Sequence, residues 1–101
     1  MYSMIGKLTA KAGKRSELTD ILLRAAEGVS GIPECRAYIV LEDLHDHDGV
    51  WVFEMWNSQQ AHDDSLKDEQ VRALIAEAMP ILAGAPSGSE LRVMGGYGVV
   101  L

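Results

Sequence analysis

The feature that most constrains this chain is the order in which its apolar spacing changes. Residues 2–10 alternate at every second position. Residues 14–29 recur at every third or fourth, and residues 35–43 and 50–56 alternate again. After Asp68 the helical spacing returns, and residues 89–94 read as a last strand. Alternation sends neighbouring side chains to opposite faces of a strand, whereas the three-and-four spacing gathers them on one stripe of a helix. The resulting order, β-α-β-β-α-β, is that of the split βαβ pattern. It predicts an α+β, ferredoxin-like fold: one antiparallel sheet with two helical layers on one face. No repeat, low-complexity stretch or linker interrupts it, so residues 1–101 read as a single domain.

Local signals fix the joints. In the first strand Tyr2, Met4, Gly6, Leu8 and Ala10 share one face, and Ser3, Ile5, Lys7 and Thr9 the other. The first helical stripe is Leu18, Ile21, Leu22, Ala25 and Val29, ended by Gly28, Gly31 and Pro33. Asp48-Gly49, closing the loop that starts at His45, is a hairpin signal. Asn57 or Ser58 can cap a short helix carrying Ala61 and His62. Asp68 can cap the next, whose stripe is Val71, Leu74, Ile75, Ala78, Met79 and Leu82. Pro80 should bend or end that helix, because it lacks a backbone donor and clashes with the preceding turn. The glycine-rich stretch 95–98 carries no assignment.

Composition excludes several function classes. Nine basic against fifteen acidic residues give a net charge of -6, and the basic ones are scattered. A nucleic-acid or anionic-membrane surface needs clustered Lys and Arg, so neither partner is expected. No apolar run approaches the ~20 residues that span a bilayer. The N-terminus lacks a basic segment followed by an apolar one, so no secretory signal is read there. The single cysteine, Cys35, allows neither an internal disulfide nor a multi-cysteine zinc site, and a reducing, cytoplasmic setting is expected. His45 and His47 stand among Asp43, Asp46 and Asp48, but an acidic hairpin of this kind reads as a solvated turn, and no metal site is assigned.

The strands differ in their two faces. Cys35, Ala37, Ile39, Leu41, Trp51, Phe53 and Met55 form an apolar set, expected under the helices. Lys7, Arg36, Tyr38, Val40, Glu42, Val52, Glu54, Trp56 and Arg92 form a mixed set. Aromatic and charged residues together suit a face that packs on its own copy, where charges pair across a two-fold axis. A homodimer through that sheet face is expected.

The stretch Phe53-Glu54-Met55-Trp56-Asn57-Ser58-Gln59-Gln60-Ala61-His62 resembles the core signature of the antibiotic biosynthesis monooxygenase family, a strand ending in Glu-x-Trp followed by a polar cap and a helix start. Lys11-Ala12-Gly13-Lys14 through Leu18, and Val71 through Ala83 with Pro80, are similar to the segments that open its first helix and form its second long helix. The resemblance implies a dimeric α+β barrel. It also implies an enzyme that oxidises small electron-rich aromatics, quinols or anthrones, with dioxygen and without metal or flavin. An ionised phenol can itself reduce dioxygen, so such a protein need only bind it, take a proton and exclude water.

The same resemblance nominates residues. Trp56 matches the family's tryptophan, and His62 falls where anthrone-oxidising members carry a tyrosine acid, so both are expected to be catalytic. The position four before Trp56, an asparagine in those members, is Val52 here, which implies a different substrate orientation or no turnover. Tyr38 and Arg72 are candidates to hold a ligand oxygen, and Trp51, Phe53 and Met55 to line an aromatic pocket. No cofactor is expected. The alternative function is a non-catalytic module that binds or senses a small aromatic ligand. Haem degradation fits poorly, since the first strand holds no asparagine and His62 sits at its helix start.

Overall fold

The computed structural model describes residues 1–99. Its elements follow the expected order: β1 (Tyr2–Thr9), α1 (Arg15–Val29), β2 (Cys35–Glu42), β3 (Gly49–Trp56), α2 (Gln59–Ser65), α3 (Glu69–Ala78) and β4 (Ser87–Arg92). The sheet is antiparallel with strand order β2-β3-β1-β4, and the helices lie on one of its sides. This is the ferredoxin-like α+β arrangement.

The joints obey local chemistry. Ser58 caps α2 by accepting the Ala61 N–H at 3.1 Å, and Asp68 caps α3 by accepting from Gln70 and Val71. Pro80 ends α3: the chain tightens to a single 3-10 turn at Met79–Ile81, which dispenses with the donor that proline lacks. Gly13 takes φ 77° in the turn before α1. Gly49 needs no positive φ; a Cβ there would lie 2.9 Å from Lys7 Cε and 3.1 Å from Asp43 Cβ, so it is the missing side chain that the hairpin requires. Gly28 lies inside α1, and the helix closes at Ser30 instead.

The core joins α1 to the sheet: Leu18, Ile21 and Leu22 pack with Ala10, Val50, Val52 and Ala78, with Tyr38, Val40 and Leu74 at its margin. Sheet register therefore decides which face is covered, and it reverses the expectation. Met4, Gly6 and Leu8 pair with Glu54, Val52 and Val50, and Tyr38 and Val40 pair with Glu54 and Val52; this set lies under the helices. Ile39, Leu41, Trp51 and Phe53 point away from them, and Ile39 and Leu41 are 48% and 43% exposed. The mixed face is thus the covered one and the apolar face the open one. Composition misled because a face covered by helices and a face suited to a partner are both rich in apolar residues.

Two residues also change sides. Lys7 pairs with Trp51 and stands 5.7 Å over its ring, on the open face. A bulge between Cys35 and Ala37 shifts the β2–β3 register, so Cys35 pairs with Trp56 and not with the Ala37 side.

Candidate functional site

Between the helix-covered sheet face and α1 and α3 lies a cavity of about 440 Å³. That is within the range of small-molecule sites. Its walls are apolar, with Met4, Leu8 and Val52 from the sheet, Leu22 from α1, and Leu74 and Ala78 from α3. Tyr38, Glu54 and His62 also line it.

The sequence brings these three together from separate elements. Tyr38 on β2 is the direct cross-strand partner of Glu54 on β3. Glu54 and Trp56, two apart on one strand, share a face, and the Trp56 indole N–H donates to Glu54 Oε1 at 3.0 Å. The Ser58 cap starts α2 directly after β3 and delivers His62 over the same spot. Its ring is held between Tyr2, 5.5 Å away between centroids, and Trp56, edge-on at 5.8 Å. Its Nδ1 lies 3.1 Å from Asp63 Oδ1, and its Nε2 faces Glu54 Oε1 at 4.0 Å. Ser65 donates to the His62 carbonyl at 2.6 Å, tying down the same turn.

Electrostatics complete the site. Burial pushes the Tyr38 phenol well above its ordinary pKa, and the neighbouring Glu54 charge adds to this, so Tyr38 is a neutral donor across the physiological range. Tyr2 is pushed up to about 12, first by burial and then by donating to Glu90 Oε2 at 2.9 Å. An apolar hollow with a neutral donor, a carboxylate and an imidazole at one end can bind a planar aromatic and move a proton at its oxygen.

The expected site residues are distributed unevenly. Tyr38 and His62 line the cavity. Trp56 is fully buried behind them and supports Glu54 and His62 without forming the wall. Trp51, Phe53 and Met55 are placed on the opposite face, because strand alternation sends every second residue of β3 away from the helices. Trp51 there donates to Asp43 Oδ2 at 2.9 Å. Arg72 is exposed on α3, and its neighbour Val71 reaches the cavity instead. Val52, standing in the asparagine position, puts an apolar side chain on the cavity floor. Glu54 is the cavity residue that sequence reading assigned to an interface; the Glu-x-Trp spacing on a strand was the signal that could have found it.

The acidic hairpin uses its carboxylates internally: Asp43 accepts from Trp51 and the His45 N–H, and Asp46 from Lys7 and the Asp48 N–H. Among the described residues no three His, Cys, Asp or Glu side chains are grouped to hold a metal, and no helix is long and apolar enough to cross a membrane.

The fold and this cavity define a class, and comparison with known families agrees. The model of the antibiotic biosynthesis monooxygenase family matches residues 1–77, and the chain belongs to that family. A solved structure from Chloroflexus aurantiacus J-10-fl, described as a candidate antibiotic biosynthesis monooxygenase, is similar at 36% identity over 98% of both chains, with TM-score 0.86. A candidate of the same description from Deinococcus radiodurans shares the fold at 20% identity over 99% of both chains, with TM-score 0.84. Another from Nitrosomonas europaea does so at 13% identity over 94% of this chain and 100% of that one, with TM-score 0.88. Comparison with curated proteins gave no match.

Proposed function

We propose that the protein is a cofactor-independent monooxygenase that oxidises a small quinol-like, phenolic or anthrone-type aromatic with dioxygen. The observation that carries this reading is the apolar cavity with Tyr38, Glu54 and His62 at one end. The chemistry needs little more. An electron-rich phenol or anthrone that has lost a proton passes one electron to dioxygen. The resulting radicals join to a peroxide, and loss of water leaves a carbonyl. In sum CH2 and O2 become C=O and H2O, so the substrate supplies all the electrons. The chain binds the ring, keeps water away and accepts the proton at the facing Glu54–His62 pair, with the neutral Tyr38 donating to the developing oxyanion.

Oxygen uptake with a panel of quinols and anthrones tests this against an enzyme-free control, because such compounds oxidise unaided. Wild type should exceed the control, and His62→Ala should lose about a hundredfold of the excess. No uptake above control with any compound would sink the oxygenase reading. Ligand-dependent thermal stabilisation in that case would support a binding module.

The reading includes a homodimer in a cytoplasmic setting, now through the open sheet face. Ile39, Leu41 and Leu91 are exposed there beside Trp51 and Phe53. A contiguous apolar face of this kind suits a partner surface. Its charge, Lys7, is already paired with Asp43 at 3.5 Å and Asp46 at 2.8 Å, so a second copy could cover it without burying a lone cation. Light scattering across protein concentrations reads the oligomer; a monomer at all of them would remove this part of the proposal.

A further inference from the structure

We infer that Glu54 and His62 form a clamp for one free hydroxyl group of the ligand, with Glu54 its acceptor. The clamp rests on the cavity of the oxygenase reading but not on its turnover. Glu54 Oε1 and His62 Nε2 face each other at 4.0 Å. That is beyond a direct hydrogen bond, which needs about 2.7–3.2 Å. An oxygen placed about 2.8 Å from both atoms would subtend roughly 90°, a geometry a hydroxyl can adopt while bonding to both.

The chemistry of the two atoms specifies what fits. Glu54 is an acceptor held in place by the Trp56 indole N–H at 3.0 Å. His62 Nδ1 lies 3.1 Å from Asp63 Oδ1, which fixes the ring so that Nε2 faces the gap. A hydroxyl carries one hydrogen and fits the gap in complementary roles: it donates to Glu54 Oε1, and its oxygen accepts from the His62 Nε2–H. The side chains of Glu54 and His62 are only 16% and 10% exposed, so bulk water serves them poorly. Apart from Tyr38, Ser65 and Ser87 the remaining walls are apolar. An ether in the same place is costly, because Glu54 then faces an oxygen with no hydrogen to donate. Ligands with a free phenolic hydroxyl should therefore be preferred over their ethers, and Glu54 should set that preference.

The test is calorimetric binding of 1-naphthol and of 1-methoxynaphthalene, which share a ring and differ by one methyl group. Wild type should bind 1-naphthol at least tenfold more tightly than the ether. Glu54→Gln keeps an oxygen for the Trp56 indole but removes the charged acceptor, and should shrink the preference to about threefold or less. His62→Ala should do the same, and the double variant should lose no more than either single one. Unchanged ether affinity in Glu54→Gln would show that the cavity itself is intact. A preference that survives in Glu54→Gln, or a wild type that treats the two ligands alike or binds neither, would overturn the clamp. Discrimination without any oxygen uptake would leave the clamp standing and remove the oxygenase reading.

Discussion

The two faces of the sheet solve opposite problems with residues that look misplaced. The helix-covered face carries a carboxylate, a phenol and an indole where a plain core would be aliphatic. The open face carries Ile39, Leu41, Trp51 and Phe53 where water would favour polar groups. On the covered face the polar groups are engaged with one another or with the cavity. Trp56 binds Glu54, and Glu54 and His62 face one cavity. Polarity under helices is what the proposed site requires, and apolarity in the open is what the proposed partner surface requires.

The contrast between the faces breaks hardest at Trp56. Trp56→Ala removes a fully buried indole behind the site, and should cost about 3–5 kcal/mol of stability in urea unfolding. A loss below about 1 kcal/mol would mean that the covered face does not depend on it.

Leu41→Ala probes the other face. In an isolated chain so exposed a residue should change stability by no more than about 0.5 kcal/mol. With a second copy over it the loss should reach about 1–2 kcal/mol at high protein concentration and shrink on dilution, as unfolding at two protein concentrations would reveal. A small, concentration-independent change would mark the open face as simply wet.

The covered face is also where alkali should act. Tyr2, at its edge, is raised to about 12 in the folded protein, so the folded state keeps its proton longer than the unfolded state does. This contribution is complete below the unfolded value near 10 and is lost as pH rises toward 12. Tyr2→Phe should remove that slope from the pH dependence of stability and cost about 1 kcal/mol or less at neutral pH.

The smallest effect belongs to the hairpin beside the open face. The Trp51 indole N–H, then the His45 N–H and Lys7, hold Asp43 down to about 2. Its stabilising contribution is present above the unfolded value near 3.8 and fades as pH falls toward 2. Trp51→Phe should raise the Asp43 pKa, followed by NMR titration of its carboxyl carbon, and flatten the acid limb slightly. An unmoved titration would show that the indole bond does not act on Asp43.

Much of this was legible in the chain. The periods, the Ser58 and Asp68 caps and the stop at Pro80 follow from interactions within a few residues, so sequence alone determined the elements and their order. His62 and Tyr38 were readable as site candidates, the first through its spacing from Trp56. What tertiary structure decided was which face the helices cover. Alternation is symmetric: it says that two faces exist and not which one is buried. The bulge that turns Cys35 toward Trp56 depends on β2 meeting β3. The meeting of Tyr38, Glu54 and His62 depends on β2, β3 and α2 closing around one cavity. Such long-range contacts leave no period in the sequence, because the residues that make them are brought near one another only by packing.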